Sequence, residues 1–236
     1  MKNKIVVVYS SHLDESIDIK FEEHLKKTCG VSLNIHRYEN KNQYSLSEVY
    51  NKAIDEIDMT DAITVFCHND IEFDTKNWGK NLLKHFNNFN NNYQIIGVAG
   101  TEEIYYHGCW WLTPNAKSMN LSKMIGIVNH DNGIRKWESR YSESYFGIRS
   151  VVCVDGLFIA VDCDDIEAKW DEDFDGFHYY DIGFSVKNYL EGCNIGVITD
   201  IRITHKSIGQ TNEQWEINRQ KFVEKYKHEL PIILEK

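Results

Sequence analysis

Three short segments carry residues that could do chemistry. The first is His68-Asn69-Asp70, which follows the apolar run 62–67. A carboxylate just past a buried strand can hold a hard cation through its oxygens, and that cation can bind a diphosphate. The same aspartate could instead cap the turn that follows it. The second is His205, which ends the alternating segment 194–204. It reads either as a structural histidine or as a ligand through a ring nitrogen. If Asp70 and His205 meet, two independent strand ends converge and the cation reading gains. The third is Asp181, inside the aromatic segment 174–186 and ahead of a helical stretch to Leu190. A helix start favours the carboxylate anion. Near a hydroxyl that anion can act as a general base, and otherwise it is an ordinary helix N-terminal Asp.

Other chemistries lack their motifs. Neither G-x-G-x-x-G nor G-x-x-x-x-G-K-[ST] occurs, which argues against a Rossmann dehydrogenase and a P-loop kinase. No G-x-S-x-G elbow occurs, so a serine hydrolase is unsupported. The six cysteines (29, 67, 109, 153, 163 and 193) form no C-x-x-C pair and read as small buried hydrophobes in a reducing compartment.

The elements that must hold these groups alternate. Residues 4–9 are a continuous apolar run, as in a strand buried on both faces. Residues 14–28 space Ile17, Phe21 and Leu25 helically, and 33–38 alternate as a second strand. Ser45-Leu46-Ser47-Glu48 is a capping box. Behind it Val49, Tyr50, Ala53, Ile54 and Ile57 make one apolar helix face. Strand 62–67 follows, then a helix marked by Trp78, Leu82, Phe86 and Phe89 that ends in the Asn-rich turn 87–92. Strands are expected at 94–99 and 151–161, one or two more at 194–204, and a last helix from a capping box at Thr211-x-x-Gln214. Region 101–150 is less regular and rich in aromatics.

A β-α-β-α-β order predicts an α/β fold with a mostly parallel central sheet flanked by helices. Ligands then bind beyond the carboxyl ends of the strands. Those ends are followed by Ser10-Ser11-His12, Glu39-Asn40, Asp70, Asp155-Gly156 and His205-Lys206-Ser207.

The chain has 236 residues, hydrophobic content of 42% and a net charge of −10. That excludes intrinsic disorder and argues against a nucleic-acid partner. No stretch reaches the ~18 apolar residues of a membrane span. One cytoplasmic domain over 1–236 is expected, with a first half at about 1–100, a second at about 101–210 and a closing helix at about 211–228.

Together, order and spacing over roughly residues 4–210 resemble the GT-A glycosyltransferases, in particular the inverting family 2-like enzymes of bacterial surface-polysaccharide synthesis. Residues 45–54 (SLSEVYNKAI) resemble the family's S-x-x-x-A-R-N-x-G-I helix. Residues 65–73 (VFCHNDIEF) resemble its strand into D-x-D, and 154–158 (VDGLF) its short Gly segment near the acceptor. Residues 180–185 (YDIGFS) resemble the E-D-x-D-x-x motif that carries the base, and Ile203-Thr204-His205 its late metal-binding His. His68 stands for the first Asp of D-x-D, Tyr180 for the Glu before the base, Tyr50 for an Arg and Gly183 for the second Asp.

The resemblance implies that Asp70 binds Mn2+ or Mg2+, which bridges the donor diphosphate. His205 would be a second ligand or a diphosphate contact. Tyr9, Ser10, Asn40, Asn51, His68 and Asn69 would lie on the donor side. Asp181 would deprotonate the acceptor hydroxyl. Trp110, Trp111, Asp155, Gly156 and His178 would face the acceptor. The implied partners are a UDP- or GDP-type sugar and a glycan or lipid-linked glycan, met peripherally at the inner face of the membrane. The alternatives are a non-catalytic nucleotide-sugar-binding relative and a sugar nucleotidyltransferase.

Overall fold

The computed structural model describes the whole chain except residues 13, 91, 142–146, 208, 210 and 236. Asn91 of the expected Asn-rich turn, and 142–146 of the irregular region, therefore lie outside the described residues. In chain order the elements are β1 (Lys4–Ser11), α1 (Glu15–Thr28), β2 (Ser32–Glu39), α2 (Leu46–Glu56), β3 (Ala62–Cys67), β4 (Ile71–Phe73), α3 (Trp78–Phe86), β5 (Ile95–Gly97), β6 (Ala99–Thr101) and β7 (Glu103–Ile104). They continue with β8 (Met124–Asp131), β9 (Lys136–Arg140), β10 (Ile148–Val151), β11 (Cys153–Val154), β12 (Phe158–Val161), α4 (Tyr180–Leu190), β13 (Ile195–Ile198), β14 (Ile203–His205), α5 (Glu213–Lys225) and β15 (Ile232–Ile233).

The main sheet has the order β10-β13-β5-β12-β3-β1-β2. β1 pairs in parallel with both β2 and β3, as the β-α-β-α-β order requires. β12 runs antiparallel to both β3 and β5, so the sheet is mixed. The side-chain period of a strand explains the core. Ile5, Val7 and Tyr9 of β1 pack on one face with Phe21, Leu25 and Trp78. Val6 and Val8 pack on the other with Leu46, Val49 and Tyr50 of α2. All five β1 residues are fully buried, and burying an aliphatic side chain of this size contributes roughly 1.5–3 kcal/mol.

A smaller sheet, β11-β6-β8-β14-β4 with β9 on β8, crosses the carboxyl edge of the first. Its two longest strands, β8 and β9, come from the irregular-looking region 101–150.

Local signals decide the details. The Ser45 capping box forms: Ser45 Oγ accepts from Glu48 N at 3.2 Å, and Glu48 Oε2 accepts from Ser45 N at 2.7 Å. The expected strand 94–99 breaks into β5 and β6. The expected strand 151–161 breaks where Asp155-Gly156 turns the chain. The last helix is capped differently from the expectation. Asn212, extended at φ −110, accepts from Trp215 N, while Gln214 turns its amide to Asn218. Phe89 lies past the end of α3 and is 89% exposed.

Candidate active site at the strand ends

The loop after β3 and the end of β14 meet because β14 pairs antiparallel with β4, setting His205 opposite Ile71. Lys206 N–H then donates to Asp70 O at 2.9 Å. Asp70 Oδ1 lies 3.4 Å from His205 Nε2 and 3.8 Å from His68 Nδ1. One donor atom from each of the three residues falls within 4.8 Å of the others. These separations are long for hydrogen bonds. They suit donors that share a divalent ion, whose bonds run about 2.0–2.2 Å. Asp70 Oδ1 is buried and accepts no hydrogen bond of proper geometry. A buried orphan oxygen between two imidazoles is what a cation would satisfy.

Electrostatics support the same arrangement. Burial pushes the Asp70 carboxyl up, but His205, His68 and Ser207 outweigh it and hold it well below the usual carboxylate range. Burial pushes His205 down, yet the neighbouring Asp70 carboxylate leaves it raised. Burial lowers His68, only partly offset by Asp70, which favours the neutral imidazole that a ligand must be.

Asp181 sits in the first turn of α4, two residues past Tyr179, whose φ of 64 turns the chain into the helix. Its Oδ2 accepts from Gly156 N at 2.8 Å. Burial and then the Asp155 carboxylate push its pKa up to about 7, against the backbone N–H groups of Ile182 and Gly156. Asp155 itself closes a turn by accepting from Leu157 N at 3.1 Å. Between this carboxylate and the cation cluster stands Tyr180. Its hydroxyl donates to Gly156 O at 3.0 Å and lies 3.0 Å from His68 Nε2. A Cβ on Gly156 would come 2.1 Å from that hydroxyl, so the approach requires glycine.

A cavity of about 290 Å³ opens beside the cluster. Ser10, His12, Tyr50, Asn69, Phe177 and Ser207 line it together with His68 and Asp70. Ser10 Oγ is buried with no partner. His12 and Phe177 face each other at 4.9 Å between ring centroids. Among the described residues no Lys or Arg lines the cavity.

Three residues expected on the donor side do not line it. Tyr9 is fully buried and its hydroxyl donates to Glu22 at 2.9 Å. The Asn40 side chain is spent on its own loop, on Gln43 N, Tyr44 N and Tyr44 O. Asn51 ties α2 to the segment before α4. It donates to Trp170 O at 3.0 Å and Glu172 at 2.7 Å, and accepts from Trp170 N at 2.9 Å. Asn69 keeps to the lining and donates to the buried Asp18 at 2.9 Å.

On the other side, Trp110 is buried edge-on to Trp111 at 5.9 Å and to Tyr141 at 6.2 Å. Burial raises the Tyr141 phenol, and so does Asp155, which places Tyr141 in the field of that carboxylate. Trp111 continues to Trp215, and Trp215 to Tyr179. His178 is half-buried, its carbonyl held by Asn218 at 2.8 Å.

Sequence reasoning missed His12, Phe177 and Ser207 as lining residues. His12 and Ser207 do follow strand ends, which was the available signal. It also missed His130 on β8, whose ring stacks on Trp137 at 4.7 Å and neighbours His205 at 6.2 Å. Nothing in the sequence spacing aligns His130 with His205; their parallel register does.

The fold has known counterparts. A structure of GalNAc-T7 with UDP, GalNAc and Mn2+ superposes with a TM-score of 0.56 and 9% identity, over 91% of this chain and 45% of that one. The chain thus spans less than half of that protein. The mannosyltransferase PcManGT from Pyrobaculum calidifontis, in complex with GDP-Man and Mn2+, superposes with a TM-score of 0.51 and 8% identity, over 97% of this chain and 70% of that one. These likenesses show the GT-A fold. No curated protein matches the sequence. A family match, by contrast, runs from Ile5 in β1 to Tyr226 just past α5, and so takes in the strand ends and the helix start that carry the site. The chain belongs to the Glycosyltransferase like family.

Proposed function

We propose that the protein moves a sugar from a nucleoside-diphosphate donor to a hydroxyl of a glycan or lipid-linked glycan, with inversion and with a divalent cation. The observation that carries this reading is Asp181. It is a carboxylate with a pKa raised to about 7, and its neighbour in sequence, Tyr180, touches the His68–Asp70–His205 cluster. A poised base beside a cation site is the pairing that sugar transfer from a diphosphate needs. Two proteins of the same fold carry UDP or GDP-Man together with Mn2+.

His68, Asp70 and His205 would hold the cation. Two imidazoles and one carboxylate suit Mn2+ better than Mg2+, which prefers oxygen. When bound, the ion supplies positive charge for the departing diphosphate. Among the described residues the cavity lining has no Lys or Arg, so the ion would be the positive charge there. Ser10 and Asn69 present polar groups to the donor, and His12 and Phe177 give it an aromatic wall. Asp181 must shed its own proton before it can take one from the acceptor hydroxyl. The Asp155 carboxylate makes it a stronger base by raising its pKa. The Gly156 N–H fixes where that base points.

Tyr141, in the field of Asp155, and Trp110, edge-on to Tyr141, would give the acceptor an apolar flank. No helix among the described residues is long and apolar enough to cross a membrane. A lipid-linked acceptor would be met peripherally, on the cytoplasmic side, as in surface-polysaccharide assembly.

A panel of UDP- and GDP-sugars incubated with Mn2+ and acceptor hydroxyls tests the reading by mass spectrometry. Release of a nucleoside diphosphate with a new glycoside supports it. No release or transfer from any donor would contradict it.

A further inference from the structure

Two departures from the family pattern touch each other. His68 stands where the resemblance puts the first Asp of D-x-D, and Tyr180 stands where it puts the Glu before the base. In the fold the His68 ring and the Tyr180 hydroxyl are 3.0 Å apart, Nε2 to Oη. Here a phenol meets an imidazole instead.

We propose that Tyr180 is a positioning residue that fixes the ring tautomer of His68 and so makes its Nδ1 a cation ligand. This rests on the cation-dependent reading given above. A phenol has one proton, and the Tyr180 hydroxyl donates it to Gly156 O at 3.0 Å. A carbonyl can only accept, so that proton is committed. The Tyr180 oxygen must then accept from His68, which places the imidazole proton on Nε2. The lone pair is left on Nδ1, the ring atom that lies 3.8 Å from Asp70 Oδ1. Ligating histidines are commonly oriented in this way, by a partner at the other ring nitrogen. Tyr180 is 2% exposed and packs edge-on to Tyr50 at 5.9 Å, so its hydroxyl has little freedom to move. The same residue precedes Asp181, so one turn of α4 sets both the ligand and the base.

The test begins with Mn2+ affinity by titration calorimetry, with UDP or GDP present, for the wild type and Tyr180→Phe. The variant should bind Mn2+ about 10–100-fold more weakly, the usual cost of losing such a partner. In a His68→Ala background Tyr180→Phe should cause no further loss. A ring-15N spectrum of the wild type, free of metal, should show the His68 proton on Nε2, and this arm needs no variant to fold. Unchanged Mn2+ affinity in Tyr180→Phe, or a proton on Nδ1, overturns the proposal and leaves the glycosyltransferase reading standing. A wild type that binds no Mn2+ with either nucleotide overturns both.

Discussion

Asp181 and Gly156 are joined by a 2.8 Å hydrogen bond, the Gly156 N–H donating to the carboxylate that starts α4. That bond crosses from the turn after β11 to the helix. It holds a carboxylate whose pKa is pushed up to about 7, by burial and by Asp155. A base must be ionised to work, so transfer should rise with pH through a midpoint near that value. A kcat profile from pH 5 to 9 measures this. A flat profile across neutrality would contradict the base role.

The same shift has a consequence for stability. The ordinary value for an aspartate is 3.8, and the folded carboxyl holds its proton to about 7. Between these values the native state binds more protons than the unfolded state, so this group lowers stability as pH rises. Asparagine does not titrate. In cation-free protein, Asp181→Asn should therefore gain in Tm over the wild type as pH goes from 5 to 8. A thermal melt at each pH measures the gap. A gap that closes with rising pH would be the wrong sign.

Cation binding should be visible without catalysis. Mn2+ should raise the Tm, and raise it further with UDP or GDP, because a ligand of the native state stabilises it by mass action. Mg2+ should do less, given the two imidazoles. Asp70→Ala and His205→Ala should each remove the Mn2+ shift. A Mg2+ response equal to that of Mn2+ would contradict the assigned donor set.

Asn51 gives a contrasting prediction. Its three hydrogen bonds tie α2 to Trp170 and Glu172. Asn51→Ala leaves the Trp170 N–H and C=O without those partners, at about 1–3 kcal/mol for each buried group left unpaired. Urea unfolding should show a loss of that order, with donor KM unchanged. A raised KM at unchanged stability would return Asn51 to the donor site.

Gly183, where the family pattern has a second Asp, has a packing cause. A Cβ there would lie 2.3 Å from Cε2 of Phe174, which is fully buried. Gly183→Asp should therefore destabilise the fold rather than improve transfer. Restored or improved activity with an unchanged Tm would contradict this account.

These residues also mark how far the sequence could be read. β1, α2 and β3 were legible because continuous apolar runs and a capping box are local signals. The convergence of Asp70 and His205 was legible only as a condition, since it depends on β14 pairing with β4. Tyr9, Asn40 and Asn51 sit where the family motifs suggest donor contacts. Motif position does not say where a side chain points, and all three spend their polar atoms on the fold. The Tyr180–His68 contact spans 112 positions and joins two separate departures from the motifs. No periodicity could have paired them.

The central claim is that Asp181 is the base and the His68–Asp70–His205 edge holds the donor. One comparison tests it most directly: kcat for transfer and Kd for UDP or GDP with Mn2+, in the wild type and in Asp181→Asn. In Asp181→Asn transfer should be abolished while the nucleotide affinity stays nearly intact. Transfer that survives, or binding that falls in step with transfer, would contradict it.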